Sequence, residues 1–162
     1  MKKVIVSVFA ILMCMCLLTA CGSTSKTLND TPLFDVMSEL NTQLFDDCNA
    51  MRVIDSTDKL ELYYGIDPAD VKEYAAEVAK NSATEIDEVV LVKAVDANAA
   101  KRVAQKLELR LQSQKDLCAS YSADLLAVAD KCSVRTQDVL VSLIITEKFD
   151  EAVKICDDLL FN

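Results

Sequence analysis

The chain has 162 residues, with 17 basic and 26 acidic side chains, no histidine, no tryptophan and two glycines. Without histidine there is no Ser-His-Asp triad, no Cys-His dyad and no histidine-ligated zinc, and Gly22 and Gly65 alone cannot build a Gly-rich phosphate cradle. A net charge of −9 repels polyanions, so nucleic acid is not an expected partner.

Lys2 and Lys3 precede an apolar run from Val4 to Leu18, which is shorter than the ~20 residues a membrane span needs. Leu18-Thr19-Ala20-Cys21 closes that run with an aliphatic residue, two small residues and a cysteine, the lipobox pattern of bacterial lipoproteins. The expectation is a cleaved signal peptide over residues 1–20 and a diacylglycerol on the Cys21 thiol, with an uncleaved anchor helix and an ordinary signal peptide cut after a small-x-small site as the alternatives. Two acyl chains hold a protein on a bilayer where one does not, so the expected location is the extracytoplasmic face of the cell membrane. Residues 21–30 are small and polar and read as a tether, with a reach of up to ~30 Å. Residues 31–162 are expected to form a single domain.

Cleavage removes Lys2 and Lys3 and leaves 142 residues with 15 basic against 26 acidic side chains, a formal −11. Cys48, Cys118, Cys132 and Cys156 also remain. They can be read as two disulfides, with Cys118–Cys132 the favoured bridge, or as buried thiols, since each falls where a helix stripe or strand face wants an apolar residue.

Thr31-Pro32 is a helix start, a hydroxyl cap followed by proline, and Leu33, Val36, Met37, Leu40, Leu44 and Cys48 recur at helical spacing behind it. Met51–Ile54 reads as a short strand or a helix end, and Lys59–Tyr64 as a helical turn or two ending at Gly65. Asp67-Pro68 repeats the cap-plus-proline signature, and Val71, Tyr74, Ala75, Val78 and Ala79 predict a second amphipathic helix. Glu85–Val95, rich in β-branched residues, predicts a strand. Asp96 caps a long helix to about Cys118 with Ala100, Val103, Ala104, Leu107 and Leu111 inward, while Arg102 and Arg110 fall mostly outside that face.

A shorter helix is expected over Tyr121–Ala129. Cys132–Thr136 and Val139–Ile145 follow as a hairpin turning at Gln137-Asp138, without the Asn-Gly chemistry usual there. Thr146–Phe161 closes the chain as a helix. The fold class is α+β: an antiparallel sheet of about three strands, helices packed on one face, and Val139–Ile145 central because its apolar run is nearly continuous.

Tyr63-Tyr64-Gly65-Ile66-Asp67, then Ala83-Thr84-Glu85-Ile86-Asp87-Glu88-Val89, then the long charged helix, Tyr121 and the late hairpin together resemble a family of small bacterial lipoproteins, domain of unknown function 4358. The resemblance covers roughly Leu60 to Leu160, and the lipobox is typical of that family. The chain departs from it at the hairpin, where Arg135-Thr-Gln-Asp138 replaces a Gly-containing turn. The resemblance implies an α+β domain on a lipid tether and brings no activity, catalytic residue or cofactor.

Carboxylates are the abundant reactive groups: Asp46-Asp47, Asp55 with Asp58, Asp67 with Asp70, Glu85-Asp87-Glu88 and Asp157-Asp158. Acid–base hydrolysis would use two of them and a calcium site three or more. Capping accounts for Asp67 and Asp70, and Asp55-Ser-Thr-Asp58 lacks the glycine and following glutamate of an EF-hand. No catalytic or metal site is therefore assigned. Tyr63 and Tyr64 are the candidate ligand or partner surface, because two adjacent tyrosines on a regular element cannot both point inward. The favoured reading is a non-catalytic interaction module of the cell envelope, anchored to the bilayer through Cys21. A small-ligand or cation binder comes next, and a carboxylate-dependent hydrolase last.

Overall fold

The computed structural model describes residues 26–45, 51–81 and 84–162. The expected signal peptide, Cys21, Asp46-Asp47 and Cys48 lie outside the described residues. The elements in chain order are α1 (Leu33–Leu44), β1 (Met51–Val53), α2 (Thr57–Tyr64), β2 (Val71–Ala79), β3 (Glu88–Ala94), α3 (Ala97–Tyr121), α4 (Ala123–Ala129), β4 (Val134–Gln137), β5 (Leu140–Ile145) and α5 (Phe149–Leu160). The fold is α+β, as expected.

Two parts of the expectation are corrected. The sheet has five strands, not about three, in the order β1-β2-β3-β5-β4, and every neighbouring pair is antiparallel. Helices cover both of its faces, not one. Val90 and Val92 of β3 point toward α2 and α3, while Val89 and Leu91 point toward α1 and α5. A strand buried on both sides needs an unbroken apolar run, and β3 and β5 are buried along their whole lengths. β5 lies inside the sheet between β3 and β4.

Residues 71–79 depart from expectation as well, forming a strand and not an amphipathic helix. Pro68–Asp70 makes a single 3-10 turn capped by the Asp67 side chain, which accepts from the Ala69 N–H at 2.9 Å, and the chain then extends as β2. In the strand, Tyr74, Ala76 and Val78 join the α3-side core, and Glu73, Ala75 and Glu77 face α1. Glu73 accepts from the Leu33 N–H at 2.5 Å, and so does the capping at the start of α1 that Thr31 was expected to do. The Thr31 hydroxyl instead donates to the Leu159 carbonyl at 3.1 Å. Lys93 of β3 is buried beside them, 3.2 Å from Glu73 and donating to the Thr31 carbonyl at 2.6 Å.

The β4–β5 hairpin pairs Gln137 with Leu140, leaving Asp138 and Val139 as the turn. Asp138 takes a φ of 56°, the left-handed conformation that short polar side chains tolerate when glycine is missing.

The sheet has two distinct poles. At one, β2 begins, β3 ends, the β4–β5 hairpin turns, α1 starts and α5 finishes. At the other lie Met51, Ala79, Glu88 and Ile145. The first pole also holds the start of the described chain. Thr27 and Asn162 exchange two backbone hydrogen bonds of 3.1 Å, Asn29 N–H donates to the Leu160 carbonyl at 2.8 Å, and Leu28 packs against the α1/α5 core. Backbone pairing thus begins inside the segment expected to be a free tether.

Candidate functional site

α2 ends on two tyrosines, and successive helical residues diverge by ~100°, so they cannot share a face. Tyr64 turns inward and is buried; Tyr63 is 40 % exposed. Gly65 stops the helix in the left-handed conformation (φ 67°), donating to the Glu61 carbonyl at 2.7 Å. A Cβ there would meet only the Lys106 side chain at 3.7 Å, so backbone conformation and not space accounts for glycine. The Tyr-Tyr-Gly-Ile-Asp segment therefore acts locally: one tyrosine in, one out, a helix stop, and a cap for the next turn.

Each tyrosine ring carries an arginine. The Arg52 guanidinium lies 5.4 Å from the Tyr63 ring centre, and Arg110 lies 5.7 Å from that of Tyr64. Arg110 also grips the buried Glu88 with two nitrogens, at 3.0 and 2.8 Å. With its amide carbonyl turned to the guanidinium, Gln114 accepts from Arg110 at 2.6 Å. Burial works against the Arg110 charge, but the hydrogen bonds and charge of Glu88 outweigh it and raise the Arg110 pKa above its ordinary value. Burial, and then the Glu88 charge, push the Tyr64 phenol well above its ordinary pKa, so it stays neutral. The Tyr64 hydroxyl has no hydrogen-bond partner among the described residues.

Above this layer opens a groove of about 330 Å³ at the second pole, lined by Arg52, Tyr63, Ile86, Arg110, Leu117 and Tyr121 among others. Leu117 and Tyr121 are 52 % and 48 % exposed. Arg102, Arg110 and Arg135 each grip one carboxylate with two nitrogens, on Asp70, Glu88 and Asp157 respectively. Arg52 forms no ion pair among the described residues and presents its charge to the groove.

The groove-lining arginines were missed in the sequence. Arg110 falls mostly outside the inward face of its helix in the sequence reading, although a signal for its partner is present: Glu88 opens the valine-rich run of β3, and a buried carboxylate needs a cation.

Of the other clustered carboxylates, Asp55, Asp70, Asp157 and Asp158 each pair with a cation. Asp55 pairs with Lys59 and Asp158 with Lys154, in each case i to i+4, and these bonds hold both carboxyls below the usual range. Asp70 is lowered likewise by Arg102. Among the described residues, no three Cys, Asp or Glu side chains gather as a metal donor set. Cys118, Cys132 and Cys156 are free and buried. Burial raises the Cys132 thiol and pushes Cys156 up to about 12, so both stay protonated and poorly nucleophilic.

Among the described residues no helix is long and apolar enough to cross a membrane. No curated protein and no solved structure matches the chain. A family model with the description Domain of unknown function (DUF4358) matches residues 46–146, which include the Tyr-Tyr-Gly segment, every strand and the whole of α3, and the chain belongs to that family.

Proposed function

We propose that the protein is a lipoprotein held by Cys21 on the extracytoplasmic face of the membrane. Its domain acts as a non-catalytic interaction module, contacting an envelope protein through the groove between α2 and α3. The observation that carries this reading is Arg52 stacked on Tyr63 without an ion-pair partner among the described residues, beside the exposed Leu117 and Tyr121. Arginine and tyrosine are the residues that most often anchor protein interfaces. Of the ionisable groups in and beneath the groove, Glu88 is committed to Arg110 and Tyr64 is held neutral, which takes these two out of acid–base work. A small-ligand binder is the second reading. It is favoured by the groove volume of about 330 Å³, at the lower end of the usual range for ligand pockets.

Two experiments test the proposal. Cys21→Ser is expected to abolish palmitate incorporation and block processing; palmitate on the variant would remove the lipid anchor from the reading. A photo-crosslinker at Tyr121 in intact cells is expected to capture one reproducible protein, and Arg52→Ala with Tyr63→Ala to lose it. Capture that survives both substitutions would sink the groove as the contact.

A further inference from the structure

The start and the end of the described chain are stitched together at one pole of the sheet, and the groove opens at the other. Thr27 and Asn29 pair with the backbone of Leu160 and Asn162, and the Asn29 side-chain amide donates to the Leu159 carbonyl at 2.8 Å. Leu28 adds an apolar contact to the α1/α5 core. Thr31 and Lys93 close the same corner from the sheet side. The groove uses Val78, Ala79 and Glu88, at the far ends of β2 and β3, with Arg110, Leu117 and Tyr121 from the second half of α3. The nine residues of β2, at ~3.3 Å each, put about 27–30 Å between the two poles.

We infer that this bridge sets which way the domain faces: the bridged pole sits against the bilayer, and the groove opens at the distal pole, out of reach of lipid headgroups. The inference rests on lipidation at Cys21 as proposed above. With Thr27 fixed, the chain between Cys21 and the bridge spans at most six Cα steps, ~20 Å when fully extended, instead of the ~30 Å reach of a tether running to Asp30. A linker shorter than the domain cannot turn the domain end over end, so the pole that bears it stays the near pole. The occupant of the groove is then met from the envelope side, beyond the ~10 Å over which headgroup charge acts at ordinary ionic strength.

The absence of tryptophan from the chain gives a direct test, because a single introduced tryptophan is the only one present. Asn98→Trp, exposed in the first turn of α3, reports the bridged pole, and Ser120→Trp, exposed in its last turn, reports the groove pole. The full-length lipidated protein is placed on phosphatidylcholine vesicles carrying a dansyl headgroup lipid, and energy transfer from tryptophan to dansyl is read. Transfer from Asn98→Trp is expected to be at least twofold that from Ser120→Trp. Inserting fifteen Gly/Ser residues between Lys26 and Thr27 leaves the bridge intact but lengthens the tether, and should bring the ratio close to one. Leu28→Asp, which loosens the bridge, should shift it the same way. Equal transfer from the two positions in protein that carries palmitate would overturn the orientation. Absence of transfer from both, in protein without palmitate, would overturn the anchor on which it rests.

Discussion

The two faces of the sheet are closed by different means, and the difference locates the groove. On one face lie two twelve-residue helices, α1 and α5, each ~18 Å long and so shorter than the longest strand. Leu33, Val36, Leu40, Cys156 and Leu160 meet Val89, Leu91 and Ile144, and the layer stays within the length of the sheet. The other face is covered mainly by the 25 residues of α3, about 37 Å of helix. Its first half seals Val90, Val92 and Val141 with Ala100, Val103 and Leu107, Arg110 and Gln114 meet Glu88 at the start of β3, and its last turns run on past that strand end. Leu117 and Tyr121 are therefore left about half exposed beside the strand ends at Val78, Ala79 and Glu88. A helix matched to its sheet makes a core; a helix longer than its sheet makes a core and an overhang, and the groove is that overhang.

Ion pairs on the two faces can sharpen this contrast. The largest effect is expected on the α3 side. Arg110→Ala leaves Glu88, only 2 % exposed, as an uncompensated buried charge, and should cost about 3–5 kcal/mol in urea unfolding. Replacing both partners, Glu88→Leu with Arg110→Met, should recover most of that loss. If Arg110→Ala alone costs less than about 1 kcal/mol, the floor of the groove is wetter than described.

On the α1 side, Glu77 is buried with Asn41 as its partner, at 3.1 and 3.2 Å, and burial raises its pKa despite that hydrogen bond. A carboxyl raised above its ordinary 4.5 stabilises the fold below that pH and loses the contribution as pH rises through its folded value. Glu77→Gln should therefore stabilise the protein at pH 7, on the order of 1 kcal/mol for a buried polar group with a better partner, because the new amide can also donate to the unpartnered Asn41 Oδ1. The gain should vanish below pH 4.5; a gain that persists there would show that charge is not its source. The smallest effect is expected at the rim of the same face. Arg135 and Asp157 are about one-third exposed, so Arg135→Ala should change stability by less than about 1 kcal/mol, read in the same unfolding assay.

The helical stripes of α1 and α3, the strand at Glu88–Ala94 and the closing hairpin and helix were legible because each shows one dominant period. β2 was not. Val71, Tyr74, Ala75 and Val78 fit a helical repeat, and alanine and glutamate are good helix formers. The same nine residues also alternate, with Tyr74, Ala76 and Val78 against Glu73, Ala75 and Glu77. What decides between the two periods is tertiary. α1 offers an open N-terminus and Asn41 to the two glutamates, and β3 offers a ladder. The second layer of helices is hidden for the same reason, since with residues 71–79 taken as a helix the sheet loses the strand whose Glu73 and Glu77 meet α1. At the groove, the two tyrosines stood out by adjacency, whereas Arg52 and Arg110 gained meaning only through rings and a carboxylate far off in sequence.

The bridge between the chain ends also has a kinetic meaning. Asn29 and Leu159 are separated by 130 positions, so joining them closes a loop that contains nearly the whole domain. Such contacts bear the full loop-closure entropy and form after local ones. The bridge is then the last seam to close, and it can close only after the final helix has been delivered. A chain truncated before Leu159 would keep the residues of its sheet but lose the seam, leaving its first described residues free to move away from the domain.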